Sequence, residues 1–568
     1  MQFKVLAKYI EEIEKTSSRN KITELLSSLF KKLNKQEIKE TIYLLQGRIV
    51  PLYESKEFGM AEKLIINSAL KAFNLDKNTF NKKFKEIGDL GTTVESFKID
   101  QPKKELSISD VFESLNKLAE AEGKGSQDIK TDILANLILD LDSLSSKYLV
   151  RIPIGAMRLG FSDMTILDSL SWMMKGDKSL RPILQHVYHV KPNLGYIAET
   201  LKDNGLDKLN NVTPEIFTPI IMMRAERMSS GEEIIKKIGK CAIEPKYDGF
   251  RLQVHKKGNE VKMYSRNLDD VSFMYPDIKD AVIRHVKAKS VILEGEAIGY
   301  NLKTGNYLPF QETVQRKRKY NIDQMRESVP LQLIIFDLLF VDGESYINQQ
   351  FSKRRKKLKE IIKVQNKSGS KLNIAPESIE EEGKHIDKLF DDAIEKNLEG
   401  IVAKKLTGVY KPGAREWNWI KFKKSYSSKI KDTIDCVVMG YDYGKGKRTG
   451  FGIGAFLVGV YDSKNDKYVT VAKIGTGLSD IEWKELKKRG DSQIVVIKPL
   501  NYKTNDQVNC DVWIKPFIVV EIKADEITKS PLHSAELALR FPRLERFRDD
   551  KLPEDITLLD ELKKLYKL

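Results

Sequence analysis

Cysteine is scarce in this chain. Cys241, Cys436 and Cys510 are the only three in 568 residues, too few and too scattered for a disulfide framework or a four-cysteine zinc site. The six histidines show no HExxH-type spacing, which removes the common zinc-hydrolase arrangement. Long apolar runs are missing as well. Residues 1–12 lack the continuous apolar core of a signal peptide, and no later stretch is long enough to span a bilayer, so the expectation is an intracellular, soluble protein with no membrane partner. The glycines between Gly444 and Gly454 are not followed by a GK[ST] tripeptide, which excludes a Walker loop and leaves them as turn and bulge residues. No internal repeat is found.

What the chain has in excess is positive charge. Lys and Arg number 97 against 81 Asp and Glu, a formal net charge of +16, and such an imbalance favours a polyanionic partner, nucleic acid first. Acidic residues are interspersed throughout, so a lysine-rich surface that only confers solubility is the alternative on composition alone. The length exceeds a single domain and predicts two to four, each large enough for its own core.

From the start to about Asn204, apolar residues recur at three- and four-residue spacing, as in Ile22, Leu25, Leu26 and Leu29, or Leu134, Leu137, Leu141 and Leu144, which predicts an all-α domain. Within it, residues 150–163 stand apart. Gly155 and Gly160 would let backbone amides approach a phosphate, Arg158 would pair with it, and Ser162 would cap the next helix; an ordinary interhelical loop fits the same residues. Periodicity is lost over 204–214, the first boundary. Strand-like runs at 253–255, 291–293, 333–336 and 400–403 then alternate with helical stretches, predicting an α/β or α+β domain. The polar stretch 363–384 reads as an exposed loop. After residues 425–428, runs at 435–440, 455–460 and 517–522 separated by glycine turns suggest a small barrel, and the chain ends in a short amphipathic helix over 558–568.

Lys246 lies in Glu244-Pro245-Lys246-Tyr247-Asp248-Gly249-Phe250-Arg251. Taken singly, it is a solvated lysine before an Asp-Gly turn. A lysine amine also attacks phosphorus to form a phosphoramide, given neighbours that lower its pKa from about 10.4. Such chemistry needs carboxylates for Mg²⁺, cations for phosphates and an aromatic face for a base. Glu296 in Leu293-Glu294-Gly295-Glu296, and Glu399, both expected at strand ends, offer hard oxygen ligands. In Trp419-Ile420-Lys421-Phe422-Lys423, strand alternation places Lys421 and Lys423 on one face, where two like charges call for an anion; an exposed basic edge strand is the alternative. Arg415 adds a phosphate-matching fork. Phe336, expected at the end of a buried strand, offers a stacking face or a core ring, and Arg266 in Ser265-Arg266-Asn267 reaches for ribose or phosphate or lies on the surface.

In order, Lys-x-Asp-Gly at 246–249, Ser-Arg-Asn at 265–267, Glu-Gly-Glu at 294–296, Phe-Asp at 336–337, Glu-Gly at 399–400, Trp-x-Lys-x-Lys at 419–423 and Arg-x-Asp-Lys at 548–551 resemble the motifs of ATP-dependent DNA ligases. The helical region with Arg158-Leu159-Gly160 is similar to the DNA-binding domain of archaeal and eukaryotic replicative ligases, and the 310–319 run looks archaeal. The resemblance implies a multidomain protein: an all-α DNA-binding domain (1–205), an α+β nucleotidyltransferase domain (206–425) and a C-terminal β-barrel of OB-fold type (426–568). It also implies that Lys246 carries AMP and that Glu244 meets the adenine amino group. Arg251, Arg266, Glu296, Phe336, Arg415 and Lys421 would complete the nucleotide site, with Lys423 supporting the phosphates. Glu296 and Glu399 would serve Mg²⁺, Arg548, Asp550 and Lys551 would orient pyrophosphate, and Gly155, Arg158 and Gly160 would meet DNA. The implied co-substrate is ATP, the partner nicked duplex DNA, the state a monomer and the location cytoplasmic, with the nucleoid. A sliding clamp is a partner the family admits, but no clamp-binding peptide is legible. RNA ligases and mRNA-capping enzymes resemble the chain in the lysine motif, and the long helical region argues against both. A NAD-dependent ligase would need zinc-binding cysteines that are missing; a non-catalytic DNA scaffold would explain the charge but not the ordered motifs.

Overall fold

The computed structural model describes residues 1–98, 102–157, 159–302, 304–317, 322–363, 370–396, 398–423, 433–444 and 446–567. They fall into two compact units. One comprises Met1–Lys83 and Leu90–Lys424, the other Phe84–Asp89 and Ser425–Leu568.

Among the described residues up to Asn204, twelve helices run from Phe3–Glu14 to Leu194–Asn204. Their starts are written locally: Asn34 and Glu37, and Ser107 and Asp110, form reciprocal capping boxes, and the Asp142 side chain accepts from the Ser145 amide. The periodic leucines and isoleucines point inward, with Ile22, Leu26, Leu29, Leu134, Leu137 and Leu141 all buried. Gly155 and Gly160 both adopt left-handed backbone, at φ 67° and 69°. Ser162 occupies the N-cap of the helix Asp163–Lys175, but its side chain makes no capping bond, so the expected cap is positional only. Arg158 lies outside the described residues.

Two sheets follow. Strands β1 (Arg224–Arg227), β2 (Cys241–Lys246), β9 (Ser378–Glu380), β10 (Gly400–Lys405) and β11 (Arg415–Lys423) form one, in the order β1-β11-β10-β2-β9. Strands β3 (Phe250–Lys257), β4 (Glu260–Ser265), β5 (Ser290–Gly299), β6 (Leu331–Val341) and β7 (Glu344–Ser345) form the other, in the order β4-β3-β5-β6-β7, with β8 (Leu372–Ile374) parallel to β6. Each sheet packs an apolar face on helices. Ile243, Ile401, Ile420 and Phe422 bury against Ile234, Ile386 and Phe390, whereas Leu252, Val254, Leu293 and Ile335 bury against Ile278, Val282 and Leu358. The stretch 363–384, expected as an exposed loop, supplies β8 and β9: Leu372 and Ala375 are buried, and those few apolar side chains suffice to dock short strands on sheets already built.

In the second unit, β12 (Ile434–Asp442), β13 (Ala455–Asp462), β14 (Lys467–Ile474), β15 (Ile494–Val495), β16 (Tyr502–Lys503), β17 (Val512–Ile514), β18 (Val519–Lys523) and β21 (Arg543–Phe547) join one sheet, while β19 (Glu526–Lys529) and β20 (Leu537–Arg540) form a separate hairpin. Among the described residues, no pairing closes this sheet into the expected barrel. The C-terminal helix is present as Leu559–Lys567. No helix among the described residues is long and apolar enough to cross a membrane.

Candidate active site

Lys246 ends β2, and the turn Tyr247-Asp248-Gly249 carries the chain from the first sheet into β3 of the second. A side chain at Gly249 would not fit, because a Cβ there would lie 2.2 Å from the Ala297 carbonyl oxygen. The registers Glu244↔Val402, Lys246↔Gly400, Gly400↔Lys423 and Val402↔Lys421 put Glu244, Lys246, Lys421 and Lys423 on one sheet face, opposite the face that packs on helices. β11 sits between β1 and β10, so the Trp419–Lys423 segment is not the edge strand that its charge also permitted. In the second sheet, Arg251↔Glu296 and Gln253↔Glu294 share the face away from the apolar core. The two polar faces meet where the Phe336 ring stands edge-on to Trp419, centroids 5.9 Å apart.

Electrostatics concentrate on Lys246. Its ammonium pairs with Glu399, whose other carboxylate oxygen pairs with Lys423. Burial lowers the Lys246 pKa from the ordinary lysine range, assisted by Arg251 and Arg266; Glu296 and Asp248 pull the other way without prevailing. Burial likewise pushes Glu296 up to about 7, against the pull of Lys246 and Arg251. Lys421 is brought down to about 8 by burial and by Arg227, Lys246, Arg415 and Arg266. Arg266 and Arg415 are exposed, and their charges act on this cluster from its rim.

Glu296 and Phe336 lie inside β5 and β6 rather than at strand ends. β6 runs on past Phe336 because Leu338, Leu339 and Val341 are buried, and a register shift between Glu294 and Gly295, whose partners are Asp337 and Ile335, leaves Phe336 without a ladder partner on β5. Glu399 lies just ahead of β10, its amide donating to the Lys246 carbonyl at 3.0 Å.

Several residues of the site were not singled out by sequence reasoning. Lys404, almost wholly buried, donates to the Phe336 carbonyl at 2.8 Å and pairs with Glu244 Oε2 at 2.7 Å. Its ammonium lies 4.8 Å from the Phe336 centroid and 4.8 Å from that of Trp419. Glu244 Oε1 is buried without a hydrogen-bond partner, although Arg355 Nη1 stands 3.4 Å away. Burial holds the Glu244 pKa above the usual carboxylate range despite Lys404 and Arg355. Arg251 donates to the Met223 carbonyl at 2.7 Å and to Glu294 Oε2 at 2.6 Å, with its guanidinium 5.4 Å from the Phe336 centroid. Glu294 is fully buried and also accepts from Gln253 at 3.1 Å and Tyr410 at 3.0 Å. The alternation of β10 was the available signal for Lys404, since residues 400, 402 and 404 must share a face.

Arg548, Asp550 and Lys551 belong to the second unit. Arg548 Nη1 donates to both oxygens of Asp435 at 3.1 and 3.2 Å, its Nε and Nη2 donate to Asp550 at 2.8 and 2.7 Å, and Lys551 Nζ donates to Asp435 Oδ2 at 2.6 Å. The hydrogen bond from Arg548 brings the Asp550 pKa down to about 2.

Family models match three stretches of the chain: "DNA ligase N terminus" over residues 2–171, "ATP dependent DNA ligase domain" over 222–423 and "ATP dependent DNA ligase C terminal region" over 449–551. A probable DNA ligase of Dictyoglomus turgidum is 45% identical over 575 residues, spanning 100% of this chain and 98% of that protein. DNA ligase 2 of Thermofilum pendens is 37% identical, with 100% and 97% covered. A solved structure designated Pmar-Lig_PreS3 aligns with a TM-score of 0.55 at 18% identity, covering 95% of this chain and 99% of that one, and so shares the fold. Matching models along all three regions and relatives identical at this level over their whole length place the chain in the ATP-dependent DNA ligase family.

Proposed function

We propose that this DNA ligase works through a covalent lysyl-AMP on Lys246, joining 5′-phosphate and 3′-hydroxyl ends at nicks in duplex DNA. The observation that carries the reading is the arrangement around the Lys246 amine: a carboxylate, Glu399, shared with Lys423, and burial that lowers the amine's pKa. A lysine whose neutral form is favoured supplies more nucleophile near neutral pH.

In the first step the lone pair of neutral Lys246 Nζ forms a bond to the α-phosphorus of ATP, the bond to the bridging oxygen breaks, pyrophosphate leaves with that electron pair, and the proton the amine sheds passes to Glu399, the carboxylate paired with it. Lys421 and Lys423, on the same sheet face as Lys246, offset charge on the phosphate oxygens. Glu244 Oε1, which accepts no hydrogen bond and has only the Arg355 ion pair beside it, is an acceptor for the adenine amino group, and Phe336 supplies a ring face for the base. AMP then passes to the 5′-phosphate of the nick, and the 3′-hydroxyl displaces it to close the strand. Arg251, held by Glu294 and Met223, and Arg266 at the rim are the cations for ribose and phosphate contacts.

Mg²⁺ takes hard carboxylate oxygens, and Glu296 and Glu399, both of which act on Lys246, are the carboxylates of the site that suit it; among the described residues no group of three or more protein ligands occurs. These two carboxylates would hold the ion with phosphate oxygens and water completing its shell, as Mg²⁺ favours. Its chemistry there is neutralisation of phosphate charge. The working domains are 1–205 for DNA contact, where Gly155, Arg158 and Gly160 form the candidate backbone-binding loop, 206–425 for nucleotide transfer, and 426–568 as an OB-type module bearing Arg548, Asp550 and Lys551. The reading takes the protein as a cytoplasmic monomer on nicked DNA.

The test is intact mass after incubation with ATP and Mg²⁺, followed by nicked duplex. AMP is expected on the wild type, not on Lys246→Ala, and is expected to be discharged by nicked DNA. A wild-type protein that acquires no AMP sinks the reading. Discharge by nicked RNA alone transfers it to RNA joining.

A further inference from the structure

Asp435 has no role so far, yet it holds two of the three candidate pyrophosphate residues Arg548, Asp550 and Lys551. It opens the second unit's sheet near the start of β12, where its amide donates to Thr557 Oγ1 at 3.0 Å and its carbonyl accepts from the Thr557 amide at 3.1 Å. Its backbone is therefore fixed on both sides. Its side chain is 12% exposed and its two oxygens receive Arg548 Nη1 and Lys551 Nζ. Neighbouring strands reinforce the setting. Asp435 faces Glu521 across β12 and β18, Glu521 Oε2 lies 3.6 Å from Arg548 Nη1, and the Arg548 amide donates to the Val519 carbonyl at 2.9 Å.

The stoichiometry of donors matters. Lys551 has three N–H donors, and among the described residues it donates to Asp435, which leaves donors for a phosphate oxygen. The Arg548 fork is bound to Asp550 along its Nε–Nη2 edge and to Asp435 at Nη1, which fixes its plane. One carboxylate between an arginine and a lysine thus ties the two charges to each other, while Asp550 and Glu521 help to orient the arginine. A purely stabilising ion pair needs one cation, not two from a single four-residue motif.

We infer that Asp435 is the positioning residue that holds Arg548 and Lys551 in the arrangement that meets the departing pyrophosphate of ATP. The inference rests on the reading that this motif serves lysine adenylylation. In that step the bond from Nζ of Lys246 to the α-phosphorus forms as the pyrophosphate oxygen takes the electron pair of the bond that breaks. Asp435 touches none of these atoms and acts through the two cations. The later steps transfer AMP and join DNA without a pyrophosphate, so they do not need the pair in this arrangement.

The experiment compares wild type, Asp435→Asn, Asp435→Glu, Lys551→Ala and the double variant of Asp435→Asn with Lys551→Ala in two assays: the rate of AMP attachment from ATP and Mg²⁺, and the sealing of a nick that already carries AMP on its 5′-phosphate. Asp435→Asn is expected to slow AMP attachment by about tenfold to a hundredfold, the range for small misplacement of a positioned group, while sealing of the pre-adenylylated nick stays close to wild type. Asp435→Glu keeps the charge and is expected to recover part of the lost rate. The double variant is expected to be slower than Lys551→Ala only by the share of the Asp435 effect that passes through Arg548, and so faster than the product of the two single losses, because the residues share partners. Loss of both assays in parallel for Asp435→Asn, which is what a damaged fold produces, overturns the inference, as does an unchanged rate of AMP attachment. If Lys551→Ala slows attachment and Asp435→Asn does not, the Asp435 inference alone fails. If Lys551→Ala itself attaches AMP normally, the role of the motif fails and the inference with it.

Discussion

Half-buried among Arg227, Lys246, Arg415 and Arg266, Lys421 keeps its proton only below about pH 8, so its value as a phosphate-binding cation has an upper pH limit. In the free enzyme that limit shows in kcat/KM for ATP, which is expected to fall as pH rises through about 8 in the AMP-attachment step. Lys421→Arg keeps its charge and is expected to move the fall to higher pH; an unchanged profile in that variant would assign the limb to another group. Stability runs in the opposite sense. Between about pH 8 and the unfolded lysine value near 10.4, the unfolded chain binds the extra proton, so this residue's contribution to stability rises with pH across that window. Glu244 and Lys404 make a different kind of prediction. Both are almost wholly buried and pair at 2.7 Å. Glu244→Ala takes from the buried Lys404 ammonium its paired carboxylate and is expected to cost about 3–5 kcal/mol in denaturant unfolding of the first unit, while Glu244→Leu with Lys404→Met recovers part of that loss. A loss in the double variant equal to the sum of the single losses would show that the pair is not the cause.

Strand β10 is where element-level geometry and chemistry coincide. Gly400 has φ 142°, and a Cβ there would lie 2.1 Å from the Phe422 carbonyl oxygen, so β10 and β11 pair at this register only with glycine in place. Gly400→Ala is expected to part the strands beside Glu399, releasing Lys246 and Lys423 from their shared carboxylate and slowing AMP attachment by about a hundredfold, the scale for a displacement near 1 Å; an active variant with wild-type rates would deny β10 that role. Much of this was legible in the sequence because it is local. Alternation in Trp419–Lys423 puts Lys421 and Lys423 together, glycines mark the turns, and leucine spacing gives the helices. What was not legible is pairing between distant segments. Asp435 and Arg548 are 113 residues apart, and no local pattern says which carboxylate will meet which cation. Asp337 looks like a strand terminator after Phe336, but it is buried inside β6 because Arg354, 17 residues on, donates to both its oxygens. Lys404 was hidden differently: a lysine in a strand suggests a solvent face, and only the buried Glu244 on the neighbouring strand reverses that.

At the scale of the whole molecule, a formal charge of +16 is a statement about the partner rather than the fold. Cations that neutralise DNA phosphates release condensed counterions, so affinity falls linearly in a double-logarithmic plot against salt, by about 10³-fold or more between about 50 and 200 mM for roughly six to ten contacts. Lysyl-AMP formation involves no DNA. The groups proposed for it, Lys246, Lys421 and Lys423, are partly buried, and partly buried charges are screened much less than exposed ones. The two halves of the reaction should therefore separate on salt alone. Binding of nicked duplex, measured by fluorescence anisotropy with a non-reacting 3′ end, is expected to weaken steeply over that range and to differ little between nick sequences, because phosphate contacts carry no sequence information. AMP attachment, followed by intact mass over the same series, is expected to change far less. Parallel salt slopes for the two measurements would mean that the positive charge acts at the nucleotide site and not on DNA, and a strong sequence preference at constant salt would mean that base edges, not phosphates, hold the duplex.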